Sequence, residues 1–188
     1  MFTKPTEEIL EALRKGVSQP KVKDRPAKEE AAEKLHRENG ATGRIGIPRR
    51  MLFACLASAG RHVTYSGRKK MSTADSTLLP AFLRIQERFI PFGLRDEPGL
   101  DFDNAWEVDI QKGQHESAGR RIMIVLVRPR FDRWGFEATV SVKDSEVDDK
   151  SVRQLFEVAG SMYGIGAFGP RNSGDFGMFN VVDWKKLS

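Results

Sequence analysis

At 188 residues, with 39% hydrophobic and 30% charged side chains and a net charge of +5, the chain has room for one domain with its own core plus an appendage. No apolar run approaches the roughly 18 residues a membrane span needs, and no signal-peptide pattern follows Met1, so the expectation is a soluble, cytoplasmic protein without a membrane partner. A lone Cys55 excludes an internal disulfide, and three histidines and one cysteine without metal-ligand spacing predict no bound metal and no cofactor.

Thr6 as N-cap, Glu7 and Glu8 in the first turn, and Ile9, Leu10 and Leu13 on one side predict a helix within residues 1–18. Pro20, Pro26 and the alternating charges of 28–39 read as a linker and a solvated helix ended by Gly40. Residues 1–40 thus form a helical arm, suited to docking on a neighbouring copy, and residues 41–188 form the core domain. Within it, Gly43-Arg44-Ile45-Gly46-Ile47-Pro48 leads into a helix over 49–60, whose Met51, Leu52, Cys55, Leu56 and Ala59 recur at three- and four-residue spacing. Residues 61–70 read as a basic loop. Pro80 and Pro91 limit the apolar stretch 77–92 to a short helix or turn and then a strand at 88–92.

An alternating edge strand at 106–111 follows, and then a continuous apolar run at 121–127 that predicts a buried strand. Residues 128–133 connect that run to an alternating strand at 134–142, the two forming a hairpin. Asp148 or Asp149 caps a helix over 150–163, with Val152, Leu155, Phe156, Ala159 and Met162 on one face. Five glycines then crowd the loop from Gly164 to Gly177, before a last strand at 176–184. The predicted fold is α+β: a ferredoxin-like antiparallel sheet with helices on one face.

Charge is unevenly distributed. Residues 41–75 hold seven Lys/Arg against one acid and residues 117–135 five against one, whereas 76–116 hold four against eight acids. If the two basic stretches meet, they form a positive face opposite an acidic one, the electrostatic footprint of nucleic-acid binding. Arg44, Arg49, Arg50, Arg61, Arg68, Lys69, Lys70, Arg120, Arg121, Arg128, Arg130, Arg133 and Arg171 are the residues available to track phosphates. Trp134, Phe131, Phe168 and Phe176 are available to stack bases, with Phe168 and Phe176, inside the glycine loop, the better placed.

Two resemblances bear on these residues. Gly46-Ile47-Pro48 with its helix, Arg128-Pro129-Arg130-Phe131-Asp132-Arg133-Trp134, Ala159-Gly160 to Gly164-Ile165-Gly166, and Phe176-Gly177, in that order, resemble an uncharacterised family of bacteriophage and prophage proteins over residues 43–182. This implies a phage origin, hence a bacterial host cell, and no particular activity. Gly164, Gly166, Gly174 and Gly177, lying between helix and strand, also make the loop similar to that of the RAMP superfamily, the repeat-associated RNA-binding subunits of CRISPR effector complexes. There a glycine-rich loop lies against the guide RNA backbone. That resemblance implies RNA rather than DNA as ligand and several copies assembled along a guide-like or structured RNA. Many members of the superfamily have two such halves, and one is readable here.

Nucleotide-binding motifs do not fit, since a P-loop and a dinucleotide fingerprint both need a helix after the glycines. A metal-independent endoribonuclease would call on His62 or His115, because a side chain titrating near neutrality suits proton transfer. Asp101-Phe102-Asp103 and Asp148-Asp149 are magnesium-binding in type, but a turn and an N-cap explain them more simply. The leading expectation is a non-catalytic, phage-encoded RNA-binding protein. The alternatives are a virion or assembly protein acting through protein contacts, and the endoribonuclease.

Overall fold

The computed structural model describes residues 25–40, 42–67, 69–117, 120–143 and 145–187. The helix expected within residues 1–18 and the Arg68 phosphate contact lie outside them.

The class is mixed α and β, with short helices and small antiparallel sheets. Helix α1 (Ala27–Glu33) buries Ala31 and stops six residues earlier than its charge pattern predicts. The reason lies in the next residues: Leu35 and His36 turn into the core, and β1 (Arg37–Asn39) pairs with β2 (Thr42–Pro48). Residues 27–39 are therefore part of the packed fold. Pro48, extended at φ −64°, turns β2 directly into helix α2 (Arg49–Ala59), which buries Leu52, Cys55, Leu56 and Ala59. This three- and four-residue spacing is what places a single stripe against the core.

The basic segment after α2 is no simple loop. It folds back as a small hairpin of β3 (Thr64–Ser66) and β4 (Lys69–Lys70), held because Val63 and Met71 are fully buried beneath it. A one-turn helix α3 (Leu79–Phe82) then opens a long extended run. Its first part, β5 (Leu83–Ile85), pairs with β9 (Val140–Val142), and its second, β6 (Phe89–Pro91), pairs with β2. The Gln86 amide donates to Thr139 O at 2.9 Å and the Gly93 amide to Gly135 O at 3.0 Å, continuing the contact with 134–142 along the whole run. Residues 83–93 thus lie between β2 and the 135–142 segment. The strands follow one another in chain order, and the interleaved order of a ferredoxin-like sheet does not emerge from these pairings.

The strand expected at 121–127 is real but neither buried nor paired as predicted. It belongs to β8 (Arg120–Arg130), which pairs along its full length with β7 (Glu107–Ser117), so the partner lies upstream and not at 134–142. Only the base of this hairpin meets the core, through Val127 and Pro129 and through the Lys34 ammonium, which donates to Val127 O at 2.7 Å. Beyond the base no second layer covers the sheet among the described residues, so Ile110, Met123 and Val125 on one face are 59%, 61% and 65% exposed.

Helix α4 (Asp149–Val158) begins where the Asp148 carboxylate accepts the Ser151 amide at 2.6 Å, a hydrogen bond that holds this carboxyl below the usual carboxylate range. It buries Val152, Leu155 and Phe156 and packs on α2. Its end widens into a π turn (Ala159–Tyr163) that Gly164, at φ +68°, terminates. The strand expected at 176–184 forms no ladder. Gly177 sits at φ +71° against Ile165, and the segment is held by isolated backbone hydrogen bonds, such as the Phe179 amide to Gly160 O at 3.3 Å, and by side-chain packing. Trp184, for example, meets Phe156 edge-on at 5.6 Å and donates from Nε1 to the Asp149 carboxylate at 2.9 Å.

Candidate nucleic-acid interface

Between α2 and the glycine loop lies an open groove of about 420 Å³. One wall is the flank of α2, from Met51 through Ala54 to Ser58, with Cys55 at its base. The other is loop backbone, from Gly164 and Gly166 to Asn172, and Arg128 reaches in from β8.

The glycines of the loop divide into two kinds. At Gly174 a Cβ would run into the carbonyl of Phe168, and at Gly177 into that of Ile165. At Gly164 it would stand 2.8 Å from Phe176 O. These three exist because the loop packs on itself, stapled by the Ile165 amide to Gly177 O at 2.8 Å and the Phe176 amide to Phe168 O at 3.1 Å. Gly166 differs. It is exposed, has φ +99°, and lines the groove. The amides of Gly166 and Ala167, two in succession, donate no hydrogen bond among the described residues, and paired free N–H groups of this kind suit an anion.

Phe168 adopts φ +57°, a conformation that costs a non-glycine residue ~1–2 kcal/mol. The surrounding loop imposes it, and the ring is thereby laid 5.3 Å from the Arg128 guanidinium. One guanidinium nitrogen of Arg128, Nη1, is buried without a hydrogen-bond partner among the described residues. Burial pulls the guanidinium's pKa below its ordinary value and the attraction of Asp109 pushes it back, so it stays charged at neutral pH. Arg171 is exposed on the loop side of the groove and Arg50 stands one helical turn before Ala54. At the other end Tyr163, a lining residue, is hydrogen-bonded through its OH to His62 Nε2 at 2.8 Å. That brings in the basic hairpin, where Lys70 donates to His62 O at 3.2 Å and Arg61 to Ala74 O at 3.1 Å.

Of the expected contacts, Arg128, Gly164, Gly166 and Arg171 line the groove; Phe168 adjoins it through Arg128, Arg50 lies one helical turn from Ala54, and Lys70, with Lys69 beside it on β4 and Arg61 next to His62 in the chain, connects to it through His62 and Tyr163. Other expected phosphate contacts are differently placed. Arg44 is ion-paired with Glu38 at 3.1 Å, Arg130 with Glu107 and Asp132 at 2.8 and 2.9 Å, and Arg133 with Asp96 and Glu97, both at 2.8 Å. Arg49 donates to Ile85 O at 3.0 Å. Phe176, half-buried, and Gly174 and Gly177 serve the loop's own packing. Arg120 and Arg121 begin β8 and His115 lies in β7. Phe131 and Trp134 pack with Phe92 in an aromatic cluster, at 5.2 and 5.6 Å between ring centres.

Tyr163 and the α2 flank were not singled out from sequence. Tyr163 carried a legible signal as an aromatic at the mouth of a glycine loop, whereas Ala54 and Ser58 carried none. Asp101 closes a turn by accepting the Asp103 amide at 3.0 Å, and no group of three or more potential metal ligands occurs among the described residues. Among them, too, no helix is long and apolar enough to cross a membrane. No family model, curated protein or solved structure matches the chain.

Proposed function

We propose that the protein binds single-stranded nucleic acid, RNA before DNA, along the groove between α2 and the glycine loop, without catalysing a reaction on it. The observation that carries this reading is the state of the cations at the groove. Arg128 and Arg171, which line it, and Arg50, Arg61, Lys69 and Lys70, near it in the chain, have no carboxylate within ion-pair distance among the described residues, while Arg44, Arg130 and Arg133, which do not line it, all do; Arg49 is instead engaged by Ile85 O. Unpaired cations beside unbonded backbone amides suit a phosphodiester backbone, and the Phe168 ring and Arg128 plane suit stacking of unpaired bases. The preference for RNA, a phage origin and assembly in several copies follow from the resemblances in the sequence and are part of the same proposal.

The test is a salt titration of a fluorescent single-stranded oligoribonucleotide, with its DNA counterpart alongside. With about four phosphates engaged, log Kd should rise with log salt at a slope of roughly 3. Affinity indifferent to salt would overturn the reading. The endoribonuclease alternative gains from the His62–Tyr163 hydrogen bond, which gives His62 a fixed orientation. Cleavage of the bound RNA that vanishes in His62→Ala would favour it over binding alone.

A further inference from the structure

Asp109 and Arg128 face each other directly across the β7–β8 ladder, so their side chains share one face of the hairpin. They attract each other, yet they are not within ion-pair distance. Each keeps one buried polar atom without a partner, Oδ2 of Asp109 and Nη1 of Arg128. Among the described residues, Asp109's other oxygen accepts only a long contact from Gln111 Nε2, at 3.4 Å. The neighbouring cation on the same face, Arg130, also feels Asp109 but is ion-paired with Glu107 and Asp132, so Arg128 is the nearby cation on that face without an ion pair among the described residues. Buried complementary groups left unpaired are unfavourable, and either of two events relieves this pair. Arg128 can close onto Asp109, or an anion in the groove can engage Arg128.

From this we infer that Asp109 is the resident counter-ion of Arg128 and competes with the ligand's phosphate for it, so that this carboxylate sets how tightly the groove holds an anionic strand. The inference rests on the proposed function and adds to it a residue that does not line the groove. It makes Asp109 an affinity-limiting element of the binding surface.

The experiment is a mutant cycle on the full chain, read by anisotropy of a labelled single-stranded oligouridylate, with thermal melts of every variant. Asp109→Asn keeps the shape and removes the charge, and should tighten binding about fivefold. Arg128→Gln should weaken it, and in that background Asp109→Asn should change nothing, because the cation for which it competes is gone. Arg128→Lys keeps a cation and should retain the Asp109→Asn gain, which guards against an Arg128→Gln variant that folds poorly. If the wild-type chain fails to bind, the proposed function falls and this inference with it. If the wild type binds but Asp109→Asn is unchanged or weaker, or tightens equally in the Arg128→Gln background, the counter-ion role alone is overturned.

Discussion

Cys55 shows how a single side chain reports the state of the groove. Its thiol donates to Ala159 O at 3.4 Å, and burial pushes its pKa up to about 12 from an ordinary 9.0. The unfolded chain therefore gives up a proton that the folded chain keeps. The stabilisation this represents is complete below about pH 9 and is lost as pH rises towards 12. Urea unfolding at pH 8, 9 and 10 should show stability falling by up to ~1.4 kcal/mol per pH unit from this group, and Cys55→Ala should flatten that component. An equally steep profile in the variant would show that other groups set it. The glycines separate just as sharply. Gly174→Ala drives a methyl into the Phe168 carbonyl and should cost about 2–3 kcal/mol of stability, whereas Gly166→Ala, at an exposed position with φ +99°, should cost ~1 kcal/mol and weaken oligonucleotide binding. From the sequence these two residues were equivalent, and both were expected to face the ligand. Glycine count reveals a crowded or bent backbone, but not whether a ligand or the chain itself does the crowding.

At the scale of elements, the helices were legible because their apolar spacing is local: Leu52, Cys55, Leu56 and Ala59 mark α2, and Asp148 marks the start of α4. Of the strands, β6, β7, β8 and β9 fall in stretches expected to be extended, whereas β1 to β4 fall where a helix, a lead-in and a loop were expected, and the strand expected at 176–184 does not form; none of the partners was legible, since pairing depends on contacts remote in sequence. The apolar run in β8 looked buried because β-branched residues on both faces usually mean two covered faces; here the hairpin simply extends beyond the core. Residues 27–39 misled in the opposite direction. Their charges suggested an appendage, while Ala31 and Leu35, at 0% and 3% exposure, are integral to the packing. A chain starting at residue 41 loses α1, β1 and these two anchors and should lose cooperative unfolding, by at least the roughly 2–5 kcal/mol of a large buried aliphatic side chain. A sharp urea transition in that truncation would contradict the packing role. Any test of self-association through the segment before α1 should therefore begin the shortened chain at residue 25.

Over the whole molecule, the acidic stretch 76–116 does not form a face opposing the basic one. Four of its carboxylates fold onto cations instead: Asp96 and Glu97 onto Arg133, Glu107 onto Arg130, and Asp103 onto Arg37. These pairs are exposed and each is worth little to stability. Their larger effect is on the field, because they neutralise Arg130 and Arg133 of the second basic stretch, whereas Arg128 and Arg171 have no ion pair among the described residues. A linear sequence shows which charges are present but not which ones neutralise each other, and the list of phosphate-contacting residues was too long for that reason. The distinction can be measured. Arg133→Gln and Arg44→Gln should leave oligoribonucleotide affinity within about twofold and the salt slope unchanged, because each removes a cation already matched by an acid. Replacing Arg61 and Lys70 together with Gln should lower the slope by about 1.4, at roughly 0.7 per lost phosphate contact on a single strand. Anisotropy titrations across a range of potassium chloride concentrations would read both effects, and an equal loss of slope in the two sets would mean that the ion pairs open in the complex and the partition of charge does not define the interface.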